Sequence, residues 1–418
     1  MKFTKEEKSW ILYDWANSAY SLVIVTALLP IYFKVVAGNS GISEANSTAF
    51  WGYASSIGTL IVSLSAPILG TIADYKGLKK KLFNIFAICG MIMTLALAFV
   101  PNHSWVALLI VYIISHVGFS GANVFYDGFL VDVTTDERND KVSSYGYGFG
   151  YIGSALLFVV VMLLQIFGAE PLGAEFVTKL SFVLTALWWL LFSIPFFKKV
   201  HQVHGIERDR TPVRTSLKRI GETLKDIRKY RHIMFFLIAY FFYIDGVDTI
   251  FTMATAFGID MGITSTTLII ILLVVNVVAF PFTILYSYFA KKFGTKPMIL
   301  FAIGVYIVIC ILAMFMSKPI HFWLLGVLVG TSQGGIQALS RSYFARIIPK
   351  DRSNEFFGFY NIFGKFSAVL GPLIFGVMTQ ITGKSQYGIA SLIVLFIVGG
   401  LMFYRVPEVK PEGDRAIN

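Results

Sequence analysis

Along this chain the apolar positions do not alternate with polar ones. They run in blocks of about twenty residues, separated by short stretches that hold most of the charge. Blocks of that length suit α-helices crossing a bilayer, whereas a membrane β-barrel would show alternating segments of about ten. The pattern predicts twelve spans, at 10–36, 49–73, 82–100, 105–131, 144–168, 176–197, 232–257, 265–290, 297–317, 320–345, 356–380 and 386–405. The first block is too long for a signal-peptide core and no small-residue cleavage site follows it, so it is expected to stay as a membrane helix.

The longest polar stretch, 198–231, divides the spans six and six. The expected domains are an N-terminal bundle over 1–197, a linker over 198–231, and a C-terminal bundle with a short tail over 232–418. Within the linker Val213, Leu217, Ile220, Leu224 and Ile227 recur at helical spacing, after Thr211 as N-cap and Pro212 at the first helical position. With 11 basic and 4 acidic residues, the stretch reads as a basic amphipathic helix on the inner leaflet, or else as a solvated linker.

Composition and charge sharpen this picture. Of 418 residues 56% are hydrophobic and 14% charged, where a soluble domain carries roughly 25% charged residues. The net charge of +11 could signal nucleic acid, but its placement explains it better. Of 35 Lys and Arg residues, only Lys34, Lys179, Lys318 and Lys384 fall on outer loops, and Lys365 falls inside a span. That bias places both termini in the cytoplasm and makes the basic charge a topology signal, with no nucleic-acid partner. Cys89 and Cys310 sit in apolar runs and provide neither a disulfide framework nor a metal site.

Polar residues inside the spans are costly and therefore informative. Asp14 follows the start of the first apolar run by four residues, and Ser18 and Ser21 share its helix face at +4 and +7, beside Asn17. Span seven repeats the spacing with Asp245, Thr249 and Thr252, although Asp245 is set deeper than Asp14. Span four carries Tyr112, His116, Ser120, Asn123 and Asp127 on one face, and span ten carries Gln333, Gln337 and Arg341 at four-residue steps. Span eleven adds Asn361 and Lys365. Polar faces on spans one, four, seven and ten point to one central cavity. Asp245 and Asp248 at i, i+3 repel unless one is protonated or a cation is near, which makes them the candidates for proton coupling with Asp14, and Lys365 the intramembrane counter-charge. His116 also reads as a packing residue, and Asp127 and Arg341 as anchors or inner gate pairs.

A second internal likeness joins GTIADYKGLKK (70–80) to SYFAKKFGTKP (287–297): Ala73, Gly77 and Lys79 align with Ala290, Gly294 and Lys296. Other motifs carry less. GFGYIG (148–153) matches a dinucleotide fingerprint, but no strand precedes it, and Gly146, Gly150 and Gly153 read as a helix-packing face. Gly371-Pro372 reads as a kink. Asn46 and Asn102 head sequons of no consequence outside a secretory pathway. Ser120, His116 and Asp127 are spread too far along one helix for a catalytic triad. No nucleophile–base or metal-ligand spacing appears, so neither an enzyme nor a cofactor is expected.

GTIADYKGLKK resembles the signature of the major facilitator superfamily, Gly-x-x-x-Asp-basic-x-Gly-basic-basic, through Gly70, Asp74 and Gly77, with Tyr75 and Leu78 at positions usually basic. YDWANSAY (13–20), FYDGFLVDV (125–133), YGYGFGYIG (145–153) and SQGGIQALSRS (332–342) resemble its vacuolar-effluxer-like branch, whose fungal members are associated with amino-acid release from the vacuole. The resemblance implies an all-α membrane protein of two six-helix bundles rocking about a central site. Asp74, with Gly70, Gly77, Lys79 and Arg341, would hold the inner gate. The expected function is secondary transport of a small polar solute, an amino acid or similar metabolite, with the proton as co-substrate, by a monomer in a bacterial plasma membrane. A lipid or amphiphile translocator and a non-transporting sensor are the alternatives.

Overall fold

The computed structural model describes residues 2–207, 230–316, 318–367 and 370–407. Twelve segments are long and apolar enough to cross a membrane: Lys5–Asn39, Ala49–Ala73, Leu78–Phe99, Trp105–Gly128, Asn139–Leu172, Ala174–Lys199, Arg231–Ala254, Ile270–Phe293, Thr295–Met314, Pro319–Ile347, Lys350–Thr382 and Ser385–Tyr404. They are numbered below as spans one to twelve. The described residues are otherwise short connections, with a single isolated β-bridge between Tyr75 and Ile206. The linker helix expected over 211–227 lies outside the described residues.

Span one starts before its apolar run because Thr4 and Glu7 form a capping box. Glu7 N–H donates to Thr4 Oγ1 (3.1 Å), and Thr4 N–H donates to Glu7 Oε2 (2.9 Å). The same span turns π-helical over Tyr20–Leu28. A wider turn carries later side chains off an α-helical face. Ser21, expected beside Asp14 and Ser18, is exposed while Asp14 is buried.

Small residues bring helices close where no apolar solvent force separates lipid from protein. A Cβ on Gly118 of span four would lie 2.5 Å from Gly90 N of span three. Gly150 and Gly153 lie against Ser18 and Trp15 of span one, where a Cβ would come within 2.6 and 2.7 Å.

Contacts divide the chain into two compact units. Unit 1 is Met1–Val133, Phe149–Leu217 and Asp351–Gly358; unit 2 is Thr134–Gly148, Lys218–Lys350 and Phe359–Asn418. Each unit takes in one short segment from the other half of the sequence.

Candidate functional site

In unit 1 the polar faces of spans one and four meet. Asp14 accepts a hydrogen bond from Tyr126 Oη (3.0 Å) and a longer one from Ser18 Oγ (3.4 Å). Tyr126 is held by Trp10: their rings stack at 4.4 Å, and Trp10 Nε1 donates to the Tyr126 carbonyl (3.0 Å). One turn on, Asn17 Nδ2 donates to Asn123 Oδ1 at 2.5 Å. His116 Nε2 and Ser120 Oγ are 3.4 Å apart, and Tyr112 Oη pairs with Ser55 Oγ of span two (3.2 Å). The expected face of span four therefore exists from Tyr112 to Asn123. Asp127, one turn further, is half-buried.

Unit 1 also gathers a buried charge cluster around the loop from span two to span three. Asp74 Oδ1 accepts from the Asn354 main-chain N–H (2.9 Å) and side-chain amide (3.0 Å), and Oδ2 accepts from Glu355 N–H (3.2 Å). Gly70 allows this approach, since a Cβ there would sit 2.3 Å from the Asn354 carbonyl oxygen. Burial pushes the Asp74 carboxyl up to about 7, against the opposing pull of Lys79 and the Asn354 donors. Gly77, at φ +80, turns the chain into span three. Lys79 Nζ, fully buried, donates to Asp132 Oδ2 (2.6 Å), the Gly128 carbonyl (3.0 Å) and Ser353 Oγ (3.1 Å). Burial works against the charge on Asp132, but Lys79 and the His204 ring and N–H outweigh it and hold the carboxyl below its usual range.

In unit 2, Asp245 is fully buried at the contact of spans seven and eleven. Its Oδ1 accepts from the Gly371 N–H (3.0 Å) and from Thr249 Oγ1 (3.4 Å). Oδ2 has no hydrogen-bond partner among the described residues. Gly371 is required there: a Cβ would fall 1.9 Å from Thr249 Oγ1 and 2.8 Å from Asp245 Oδ1. Asp248 is half-buried and Thr252 exposed, with the Thr252 hydroxyl donating to the Asp248 carbonyl (2.9 Å). Gln333 is buried with Oε1 lacking a partner among the described residues; Gln337, Asn361 and Lys365 are half-buried.

Arg341 belongs to a different cluster from Asp74. Its Nε donates to Ser143 Oγ (3.0 Å) and Nη2 to the Ser143 carbonyl (3.1 Å), and its guanidinium lies 4.1 Å from the Tyr147 ring centre. Nearby, Asp140 accepts from Arg346, Ser342 and Thr295, the last at 2.6 Å. The expected inner-gate set thus divides between a unit 1 cluster (Gly70, Asp74, Gly77, Lys79) and a unit 2 cluster (Arg341).

Sequence reasoning missed Tyr126, Asp132, Asp140, Gln202 and Asn354. Asp132 had a readable signal: in FYDGFLVDV it stands between Val131 and Val133, where a carboxylate has little access to water. Tyr126 lies inside span four, where it reads as one more aromatic of an apolar run, and Asp140, Gln202 and Asn354 lie in polar connections that read as solvated loops.

A family model described as Vacuole effluxer Atg22 like matches residues 3–137 and 131–415. The MFS-type transporter YxiO of Bacillus subtilis (strain 168) is 52% identical over 410 residues, covering 97% of this chain and 96% of that protein. Autophagy-related protein 22 of Eremothecium gossypii is 21% identical over 473 residues, covering 96% of this chain and 90% of that protein. Among solved structures, the major facilitator proton:xylose symporter XylE bound to 6-bromo-6-deoxy-D-glucose superposes with a TM-score of 0.73 at 15% identity, over 97% of this chain and 95% of that one. At that identity the likeness shows the fold alone.

Proposed function

The chain belongs to the Vacuole effluxer Atg22 like family and is a membrane transporter of major facilitator fold; from that premise we propose that it exports a small polar solute in exchange for protons, with Asp245 as the coupling residue. The lead substrates are amino acids or similar metabolites, a class that comes from the resemblance to vacuolar effluxers. Efflux is supported by the family's description. The lysine and arginine bias supports cytoplasmic termini in a plasma membrane. The polar faces of spans one and four in unit 1, and of spans seven and ten in unit 2, serve as the solute path.

The observation that carries proton coupling is the asymmetric carboxylate of Asp245. One oxygen holds the Gly371 N–H of span eleven, and the other is buried without a partner among the described residues. A proton arriving on Oδ2 displaces no hydrogen bond there. Its arrival still weakens the grip on span eleven, because an N–H bond to a charged oxygen is roughly twice as strong as one to a neutral oxygen. Proton occupancy is thereby converted into a change in helix packing, the kind of linkage a coupled transporter needs.

The test uses purified protein in liposomes under an imposed pH gradient. The vesicles are loaded with amino acids, dipeptides, sugars and nucleosides, and internal loss is followed by mass spectrometry. Wild type is expected to lose one class selectively and only with the gradient. Asp245→Asn is expected to remove gradient dependence while keeping solute exchange without a gradient. Full gradient dependence in Asp245→Asn removes Asp245 from coupling.

A further inference from the structure

The chain leaving span six does not run off into solvent. Residues 200–207 fold back along the loop between spans two and three and satisfy its main chain. Ile206 N–H donates to the Asp74 carbonyl (2.9 Å), and Lys76 N–H donates to the Ile206 carbonyl (3.0 Å). Gly205 makes room for this, since a Cβ there would lie 2.7 Å from the Asp74 carbonyl oxygen. Val203 and His204 N–H groups donate to Asp132 Oδ1 at 2.9 and 2.8 Å, on the carboxylate whose other oxygen holds Lys79.

Gln202 is the centre of this strap. Its Oε1 accepts from Gly77 N–H (2.9 Å) and Lys79 N–H (3.3 Å), and its Nε2 donates to the Ala73 carbonyl (3.1 Å). Ala73 ends the helix of span two and Gly77 caps the helix of span three. Helix ends leave such carbonyls and N–H groups without intrahelical partners. A single carboxamide therefore caps the outgoing end of one helix and the incoming end of the next. The four-residue turn between them is closed from both sides, and Asp74 sits in that turn.

We propose that Gln202 is a positioning residue for transport: the strap it anchors fixes the main chain at Asp74 so that the carboxylate meets the N–H groups of Asn354 and Glu355. The Gln202 side chain bonds to the loop and to the strap itself, so it acts on Asn354 and Glu355 through the loop. This inference is independent of the solute and of proton coupling at Asp245.

The experiment is amide hydrogen exchange on the full-length protein in lipid nanodiscs, followed at Ala73–Lys79, at Asn354 and Glu355, and through the spans. Gln202→Met keeps length and removes every hydrogen bond. Gln202→Glu keeps the acceptor for Gly77 and Lys79 and removes the donor to Ala73. In Gln202→Met, exchange at Asn354 and Glu355 is expected to rise about tenfold, as loss of one to two hydrogen bonds would give, with the spans as protected as in wild type. Gln202→Glu is expected to show a smaller rise. In the efflux assay kcat falls and KM does not, because no solute contact is lost. Faster exchange at Ala73–Lys79 with unchanged exchange at Asn354 and Glu355, in either variant, overturns the proposal and leaves Gln202 a local cap. Should Gln202→Met fail to fold, Gln202→Glu decides the same question.

Discussion

In unit 1 the loop between spans two and three carries its own acid, Asp74, and offers it to the N–H groups of Asn354 and Glu355. In unit 2 the matching loop, between spans eight and nine, has Lys291 at the aligned position, and the acid, Asp140, arrives on the segment 134–148. Gly77 and Gly294 both precede the next helix at positive φ (+80 and +93), with ψ of −6 and 151, and a lysine follows two residues later. The chain leaving the last helix of each half returns to that loop, through Gln202 in unit 1 and through the Tyr404 and Val406 carbonyls, which accept from Lys296, in unit 2. The same joint is thus built twice, with its acid carried on different segments. In unit 1 the carboxylate faces two main-chain N–H groups and the Asn354 amide; in unit 2 a carboxylate faces the guanidinium of Arg346.

The lysines provide the largest contrast. Lys79 and Asp132 are both fully buried, and removing one partner of such a pair costs about 3–5 kcal/mol. Lys296 donates to two carbonyls at a helix end and lies 5.5 Å from the Tyr404 ring centre, in a more exposed setting worth about 0.3–1 kcal/mol. Lys79→Met is therefore expected to lower the unfolding temperature in detergent strongly, and Lys296→Met barely. Equal losses in the two variants would mean that the Asp132 charge is compensated by its N–H donors alone.

A smaller effect is expected at the other joint. Arg346 and Asp140 retain 13% and 15% side-chain exposure, so water offsets part of the loss when the pair is broken. Arg346→Met should cost about 2 kcal/mol, less than a fully buried pair. Adding Asp140→Asn should recover part of it by removing the stranded charge. A double variant no more stable than the single one would show that Thr295 and Ser342 hold Asp140 without the guanidinium.

These joints also mark where sequence reading succeeds and stops. The twelve spans were legible because the hydrocarbon thickness fixes how long an apolar run must be. The start of span one at Lys5 was missed because a capping box extends a helix past its apolar residues. The π-helical turn over Tyr20–Leu28 was not foretold, because a period-3.6 pattern carries no sign of it. Asp14 stood out as costly, yet its partner Tyr126 is 112 residues away, and only the fold brings them together. Asp140 and Gln202 looked like loop polarity, because burial of a polar residue in a connection depends on which distant segment covers it.

The subtlest test of the comparison is its pH dependence. Burial raises the Asp74 carboxyl from 3.8 to about 7, with Lys79 and the Asn354 donors pulling it down and Glu355 pushing it up. A carboxyl that binds its proton more tightly in the folded protein than in the unfolded chain stabilises the fold fully below the unfolded value. That stability is lost as pH rises from about 4 towards 7, at most about 1.4 kcal/mol per pH unit from one group. Arg352, bound to Glu355 at 2.7 Å, moderates the acidic neighbour without removing the trend. Wild type is expected to lose about 1–2 kcal/mol between pH 5 and pH 8 relative to Asp74→Asn, whose amide has no proton to release. Parallel curves for wild type and Asp74→Asn would mean that the N–H groups of Asn354 and Glu355 hold the carboxylate ionised throughout, and the unit 1 joint would then not answer to protons in this range.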